Sequence, residues 1–546
     1  MGGRLPRRAG SRRGRDAACY SGRGAGGDDL AGVWCCARQC GGRCPAVPSQ
    51  LLAGSVEAAP WLTPPAAGCE PRESMERDSD VVIVGAALAG LVAGAILTRR
   101  GKRVVILDHA DTVGGRGGAV ERPGGWWIDF GHRDGHDVGD CQVVWHHGAE
   151  AAREAGVEIA LRPVEAPLRL HRFPEGTVLE GGAWGPEAFL ATARDFFECP
   201  ADAVDELAAT VRRLAAATPA EVEAAIPERL EAWLPAHVRH AGARRALLLM
   251  ATVIFHPHPE EASVGRLMEF LQRPRSGPFV PDDDEAGGMQ GLMEPWARAI
   301  RARGGEIALG WKPVEIVVEG GAVRGAVAVD RTNLVCEVRA PAVITTYPVW
   351  ENFELIDERL FPPDFVAAAR ELRSHRADLI GWQAGLRRLP TIRAGGRPEH
   401  HAGWNRLLWG PERVYRGGWQ ITSMTSRRAA PPGKHLLSLV MARFFRGGPT
   451  AGQPWSAARA QLDQAIAYLR RFYADLDGCL EWSAYQYVAA PQTMSWAWAP
   501  VRRHALTVPT IRGLFLAGST LEAPAAIVDL GAYAGLEAAR GVLAGG

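Results

Sequence analysis

The sequence predicts an α/β protein: a parallel sheet with a second, α+β part lying between its pieces. Two observations carry this. The run Asp80–Asp108 alternates strand, turn, helix and strand. From Asp80 onward three blocks have this α/β character, while the gaps between them read as helical (around 200–250) and as aromatic with short strand-like runs (350–498). The chain has 546 residues, 47% apolar and 23% charged. That balance is ordinary for a folded enzyme and excludes a disordered or collagen-like chain.

Residues 1–74 differ from the rest. They are rich in Gly and Pro and hold six of the ten cysteines. Cys35, Cys36, Cys40 and Cys44 form no CxxC pair and have no histidine nearby, so neither zinc nor a disulfide framework is expected. The segment reads as a disordered extension or as sequence upstream of the true start at Met75. The next stretch is the most informative. Val81–Val84 is a continuous apolar run, as a strand buried on both faces requires. Leu88, Leu91, Val92, Ala95 and Ile96 recur at helical spacing. A second apolar strand, Val104–Leu107, ends at Asp108, 23 positions after Gly85.

This is a Rossmann-like βαβ unit with an acid where a ribose hydroxyl would sit. Gly85 permits the tight turn, and Gly90 lets the helix approach the strand. Ala87 occupies the middle position of the glycine pattern, and its methyl group crowds the phosphate. Leu88 and Ala89 open the helix, whose free N–H groups and positive dipole end face a pyrophosphate.

The later elements follow in order. Val204, Leu207, Val211 and Leu214 mark a helix, and Met289, Leu292, Met293, Trp296 and Ile300 form one face of another, closed by Gly304-Gly305. Val314–Val318 and Ala322–Val329 form a hairpin across Gly320-Gly321. Leu514–Ala517 is a strand, Gly518 a turn, and a helix starts at Ile527. Lys+Arg 62 against Asp+Glu 61 leaves a net charge of +1, which offers nucleic acid no general attraction. No run of about 18 uncharged apolar residues appears, so no transmembrane helix is expected. His256, His258 and Glu260 are separated by prolines and read as loop rather than metal ligands, and Asp282, Asp283 and Asp284 as a solvated loop.

The residues after Asp108, HADTVGGRGGAV, hold Gly114, Gly115 and Arg116. A Gly-Gly-Arg just after the ribose acid resembles flavin amine oxidases and phytoene desaturases. The likeness continues in Gly287–Val329 and in Gly513–Ala539, in the order the superfamily places them. It implies FAD, bound by a discontinuous domain assembled from 78–150, 278–345 and 500–546, with a substrate domain from 151–277 and 346–499. Carried over residue by residue, it assigns Asp108 to the adenosine ribose and Gly85, Gly90 and Arg116 to the pyrophosphate region. It also assigns the Val314 backbone to adenine, and Gly518, Ser519, Val528 and Asp529 to the flavin end. The superfamily often has an acid where Ser519 stands.

The resemblance further implies oxidation of a C–H bond by hydride transfer to flavin N5, with oxygen or a quinone restoring FAD. Amine oxidases of this kind carry a lysine a few residues after a Pro-containing strand end. Here that stretch is AVITTYPVWENFELID, without lysine, and the chain holds only Lys102, Lys312 and Lys434. The expectation is therefore a phytoene desaturase-like enzyme acting on a long apolar, isoprenoid-type small molecule. Amine oxidation is the alternative, and a non-enzymatic GTPase-regulator-like binding protein of the same fold is a third reading. The sequence names no catalytic acid or base. Scattered cysteines beyond residue 74 fit a reducing cytoplasm, and collection of a lipid substrate from a membrane surface is compatible with this reading.

Overall fold

Val81–Val84 and Val104–Asp108 are buried along their whole length, so each must be covered on both faces, and a parallel sheet between helix layers meets that demand. The computed structural model describes residues 75–129, 146–163, 169–180, 186–255, 262–272, 279–282, 289–374, 377–409, 414–444, 454–492, 503–523 and 527–545. The cysteine-bearing segment 1–74 and His256, His258, Glu260, Asp283 and Asp284 lie outside them. All described residues belong to one unit, Pro71–Gly546.

The main sheet runs Met75–Asp78, Val335–Arg339, Ala322–Val329, Ile511–Leu516, Val343–Thr345, Val81–Val84, Val104–Asp108 and Glu306–Leu309. Its centre is parallel and in register: Val82 pairs with Val105 on one side and Val343 on the other, and Val343 pairs with Leu514. Strands from three distant stretches of chain thus lie side by side.

One face of this sheet is covered by three helices, Leu88–Arg99, Gln290–Ala302 and Ile527–Leu543, in a single apolar cluster. The helix faces read from the sequence are the ones that turn inward: Leu91, Val92, Ile96, Leu292, Trp296 and Ile300 are fully buried. Each such side chain contributes about 1.5–3 kcal/mol relative to exposure. Small residues let the helices close. A Cβ at Gly535 would lie 2.3 Å from the Ala89 carbonyl oxygen, so the C-terminal helix packs on the first one backbone to backbone.

The second large sheet has seven strands, ordered Leu480–Gln492, Ala377–Leu386, His435–Phe444, Val414–Ile421, Asn405–Trp409, Arg169–Phe173 and Thr177–Glu180. Strand alternation sends Ile380, Trp382, Trp419, Leu437 and Leu439 against the helix Trp455–Phe472. Of the tryptophans in this region, Trp382 and Trp419 are core. The stretch 200–250 is helical, with Ala203, Leu207 and Leu214 buried in a cluster of their own.

Two histidines are buried neutral. Burial, with a further push from Arg169, takes His171 down to about 3; burial, with a push from Arg503, takes His504 down to about 4. Their ordinary value is 6.5, so as pH falls below it the unfolded chain binds protons that the fold does not. Stability is therefore full above about 6.5 and is lost toward 4 for His504 and 3 for His171. Between pH 7 and pH 5 the loss is expected to be about 2–4 kcal/mol. Denaturant midpoints at the two pH values measure it, and equal midpoints would refute the assignment.

Candidate cofactor site

Several glycines hold the cradle open. Gly85 ends its strand at φ +102°, a region that disfavours a side chain, and a Cβ there would meet the Thr346 hydroxyl at 2.1 Å. At Gly90 a Cβ would lie 2.2 Å from the Gly85 carbonyl oxygen, so helix and turn approach as closely as the backbone allows. The helix Leu88–Arg99 begins at Ala87 without a side-chain cap. Its first N–H groups, those of Leu88 and Ala89 among them, are left for a ligand, with the positive end of the dipole behind them.

Ala87 was expected to crowd a phosphate. The structure shows how its methyl group is housed. Gly114 N–H donates to the Ala86 carbonyl (2.8 Å), and Ala87 bridges to Gly114. A Cβ on Gly115 would come within 3.0 Å of the Ala87 Cβ, and both glycines have positive φ, +113° and +55°. The Gly-Gly pair makes the space that the alanine fills. Gly114 lines the cleft, and Gly115 turns into the short helical turn Gly115–Gly117. Arg116 lies in that turn, and its side chain lies outside the described residues.

Asp108 is 5% exposed at the end of its strand. One carboxylate oxygen accepts the Ala86 N–H at 2.6 Å and the other the Ala110 N–H at 2.8 Å. It therefore clamps the glycine turn while each oxygen retains a lone pair for a sugar hydroxyl. The Trp311 N–H donates to the Asp108 carbonyl (2.9 Å), which ties the following strand, Lys312–Glu319, to the acid. Register in that strand jumps from Pro313 to Glu315, so Val314 is the extra residue of a β-bulge and stands outside the ladder. Its side chain is exposed.

Leu88, Ala89, Ser519 and Val528 line the same cleft as Ala87 and Gly114, together with Met289, Met293 and Thr346. Gly518 packs against Tyr347, where a Cβ would sit 2.2 Å from the carbonyl oxygen. The Asp529 side chain has its partners in another helix. Its buried carboxylate accepts the N–H groups of His147 (2.8 Å) and Gly148 (3.0 Å) and pairs with His147 Nδ1 (2.7 Å). It thus caps the helix His146–Ala155.

Thr346 and Tyr347 were not singled out in the sequence. They follow a parallel strand at the crevice where such sheets bind ligands, which is the signal that points to them. Burial pushes the Tyr347 hydroxyl far up, and the Asp108 and Glu351 carboxylates add to this, so it stays a neutral donor.

The three lysines all lie among the described residues, and none lines this cleft. Lys102 and Lys312 are exposed. Lys434 pairs with Glu481 at 2.7 Å and rests over the Trp126 ring. Trp126 packs edge-on against Trp482. Among the described residues no group of three or more His, Cys, Asp or Glu could hold a metal ion, and no helix is long and apolar enough to cross a membrane.

Comparison with known proteins bears on the family and the fold. The profile of the flavin containing amine oxidoreductases matches residues 88–543. A phytoene desaturase (neurosporene-forming) of Rhodobacter capsulatus is 32% identical over 95 residues, a match spanning only 17% of either chain. In fold, the chain is similar to an oxidoreductase from Methanosarcina mazei (TM-score 0.62, 17% identity, 85% of this chain and all of that one). It is also similar to wild-type putrescine oxidase bound to putrescine (TM-score 0.56, 15% identity, 86% of this chain and all of that one). An uncapped helix start, backbone approaches that exclude a Cβ, a buried acid at the strand end and a profile match across most of the chain converge: this protein belongs to the flavin containing amine oxidoreductase family and is an FAD-dependent oxidoreductase.

Proposed function

We propose that this protein is a desaturase-like oxidoreductase that removes hydride from a C–H bond of a long apolar, isoprenoid-type substrate. FAD, when bound, would supply the hydride acceptor at N5; the proton from the neighbouring carbon passes to solvent, and oxygen or a quinone, taking up two electrons and two protons, restores the oxidised state. The chain's own part is to bind and orient. The first turn of Leu88–Arg99 receives the pyrophosphate, Asp108 the ribose, and the Ser519 and Val528 side of the cleft the flavin end. Met289 and Met293 close the cleft with apolar surface.

The observation that favours this reading over amine oxidation is the position of the lysines, all outside the cleft, with Lys434 held by Glu481. The short stretch of likeness to a phytoene desaturase supports it. Amine oxidation is the second reading, and one feature favours it. The profile that matches residues 88–543 is that of the flavin containing amine oxidoreductases.

Anaerobic mixing of the purified protein with a carotenoid precursor, and separately with a panel of amines, distinguishes the two. Bleaching of the visible flavin absorption by the polyene is the expected result. Bleaching by an amine alone would replace this proposal with the second reading.

A further inference from the structure

Two segments wall the cleft on the side assigned to the flavin: 346–349, which follows the strand Val343–Thr345, and 517–520, which follows Ile511–Leu516. Thr346, Ala517 and Ser519 line the cleft itself. The walls are stitched together. Ala517 N–H donates to the Thr345 carbonyl at 2.7 Å, Gly518 touches the Tyr347 carbonyl, and Val349 N–H donates to the Thr520 hydroxyl oxygen at 3.1 Å.

Thr520 is fully buried. With its oxygen already accepting, its own proton needs an acceptor, and His504 Nε2 stands 2.8 Å away. The other ring nitrogen, Nδ1, lies 2.8 Å from the Ala505 carbonyl, which can only accept. That contact places the proton on Nδ1 and leaves the Nε2 lone pair for Thr520. The chain of bonds therefore has one direction: Val349 N–H to Thr520, Thr520 O–H to His504, His504 N–H to Ala505.

His504 is itself held firmly. Glu522 N–H donates to its carbonyl at 2.8 Å, and Arg503 donates to the carbonyls of Leu521 (3.1 Å) and Ala523 (3.2 Å). Glu522 in turn pairs with Arg503 at 2.9 Å and with Arg266. The ring is buried and neutral at ordinary pH. So much polar fastening at one buried point needs a reason, and the point is the residue next to Ser519.

We propose that His504 is a positioning residue for the cofactor: by accepting the Thr520 hydroxyl proton it sets the spacing of the two cleft walls and the placement of Ser519 at the flavin end. This rests on the FAD reading of the cleft. Nothing in the linear sequence marks His504, which is 16 residues from its partner.

The test uses the full-length holoprotein and follows FAD dissociation by the rise in free-flavin fluorescence, with the visible spectrum of bound flavin as a second readout. His504→Leu and Thr520→Val are each expected to weaken FAD binding about tenfold and to shift the bound-flavin spectrum. The double variant is expected to lose no more than Thr520→Val alone, since that change already removes the bond to His504 along with the one from Val349. His504→Gln and Thr520→Ser, which keep an acceptor and a hydroxyl, are expected to restore binding to within about threefold.

Wild-type FAD affinity and spectrum in Thr520→Val, or fully additive losses in the double variant, would overturn the proposal. If His504→Leu does not fold, Thr520→Val against Thr520→Ser decides alone. A wild-type protein that neither carries nor accepts FAD would instead overturn the cofactor reading itself.

Discussion

Asp108→Ala protein is expected to purify with little FAD and to bind added FAD about ten- to a hundredfold more weakly than the parent. Two losses combine. The ribose loses a charge-assisted acceptor, a contact worth about 1.5–3 kcal/mol. The glycine turn also loosens, because the N–H groups of Ala86 and Ala110 donate to the two oxygens of this one carboxylate at 2.6 and 2.8 Å. Asp108→Asn separates the two. An amide must turn its NH2 toward one of those N–H donors, so the asparagine protein is expected to lose affinity as well, though less than the alanine one. Flavin content per chain, read from absorbance after gel filtration, measures both. Unchanged content in Asp108→Ala would remove the ribose assignment.

Glu399→Leu is expected to destabilise the folded chain by about 3–5 kcal/mol, the cost of leaving a buried charge without its partner. Arg169 and Glu399 face each other at 2.9 Å in the second sheet region, with side chains 1% and 0% exposed. Glu399 also accepts the Tyr473 hydroxyl at 2.6 Å and the N–H groups of His400 and His401, both at 2.9 Å. Burial alone would raise its carboxyl. Arg169, Tyr473 and His401 outweigh burial and hold it below the usual range. Replacing both partners, as Arg169→Met with Glu399→Leu, is expected to recover most of the loss. Urea midpoints give the comparison, and a drop under about 1 kcal/mol for Glu399→Leu would show that the pair is not what holds this region.

Much of the first part of the site was legible because short-range physics writes it. A strand buried on both faces must be continuously apolar, a helix facing a sheet must repeat at 3.6, and a turn that meets a phosphate needs glycine. Val81–Val84, Leu88–Arg99 and Asp108 follow from those rules alone. Hairpin and terminal helix were legible for the same reason.

Asp529 marks the limit of that reasoning. The resemblance assigns it to the flavin end, and the partners of its side chain, His147 and Gly148, lie 382 and 381 positions away. The tryptophans of 350–498 pose the same problem, since composition does not say which sheet face a side chain takes.

By itself, then, the sequence determined the nucleotide-binding unit, its acid and the helices and strands that carry its other pieces, because those depend on neighbours within a few residues. The tertiary structure alone decided the strand order of the main sheet, the fit of Ala87 against Gly115, the bulge at Val314 and the bond from Thr520 to His504. Each of these depends on residues well beyond the few positions that a local pattern spans. Such contacts arise only when buried polar groups must find partners and buried backbones must close on one another, and no local pattern records which distant residue answers.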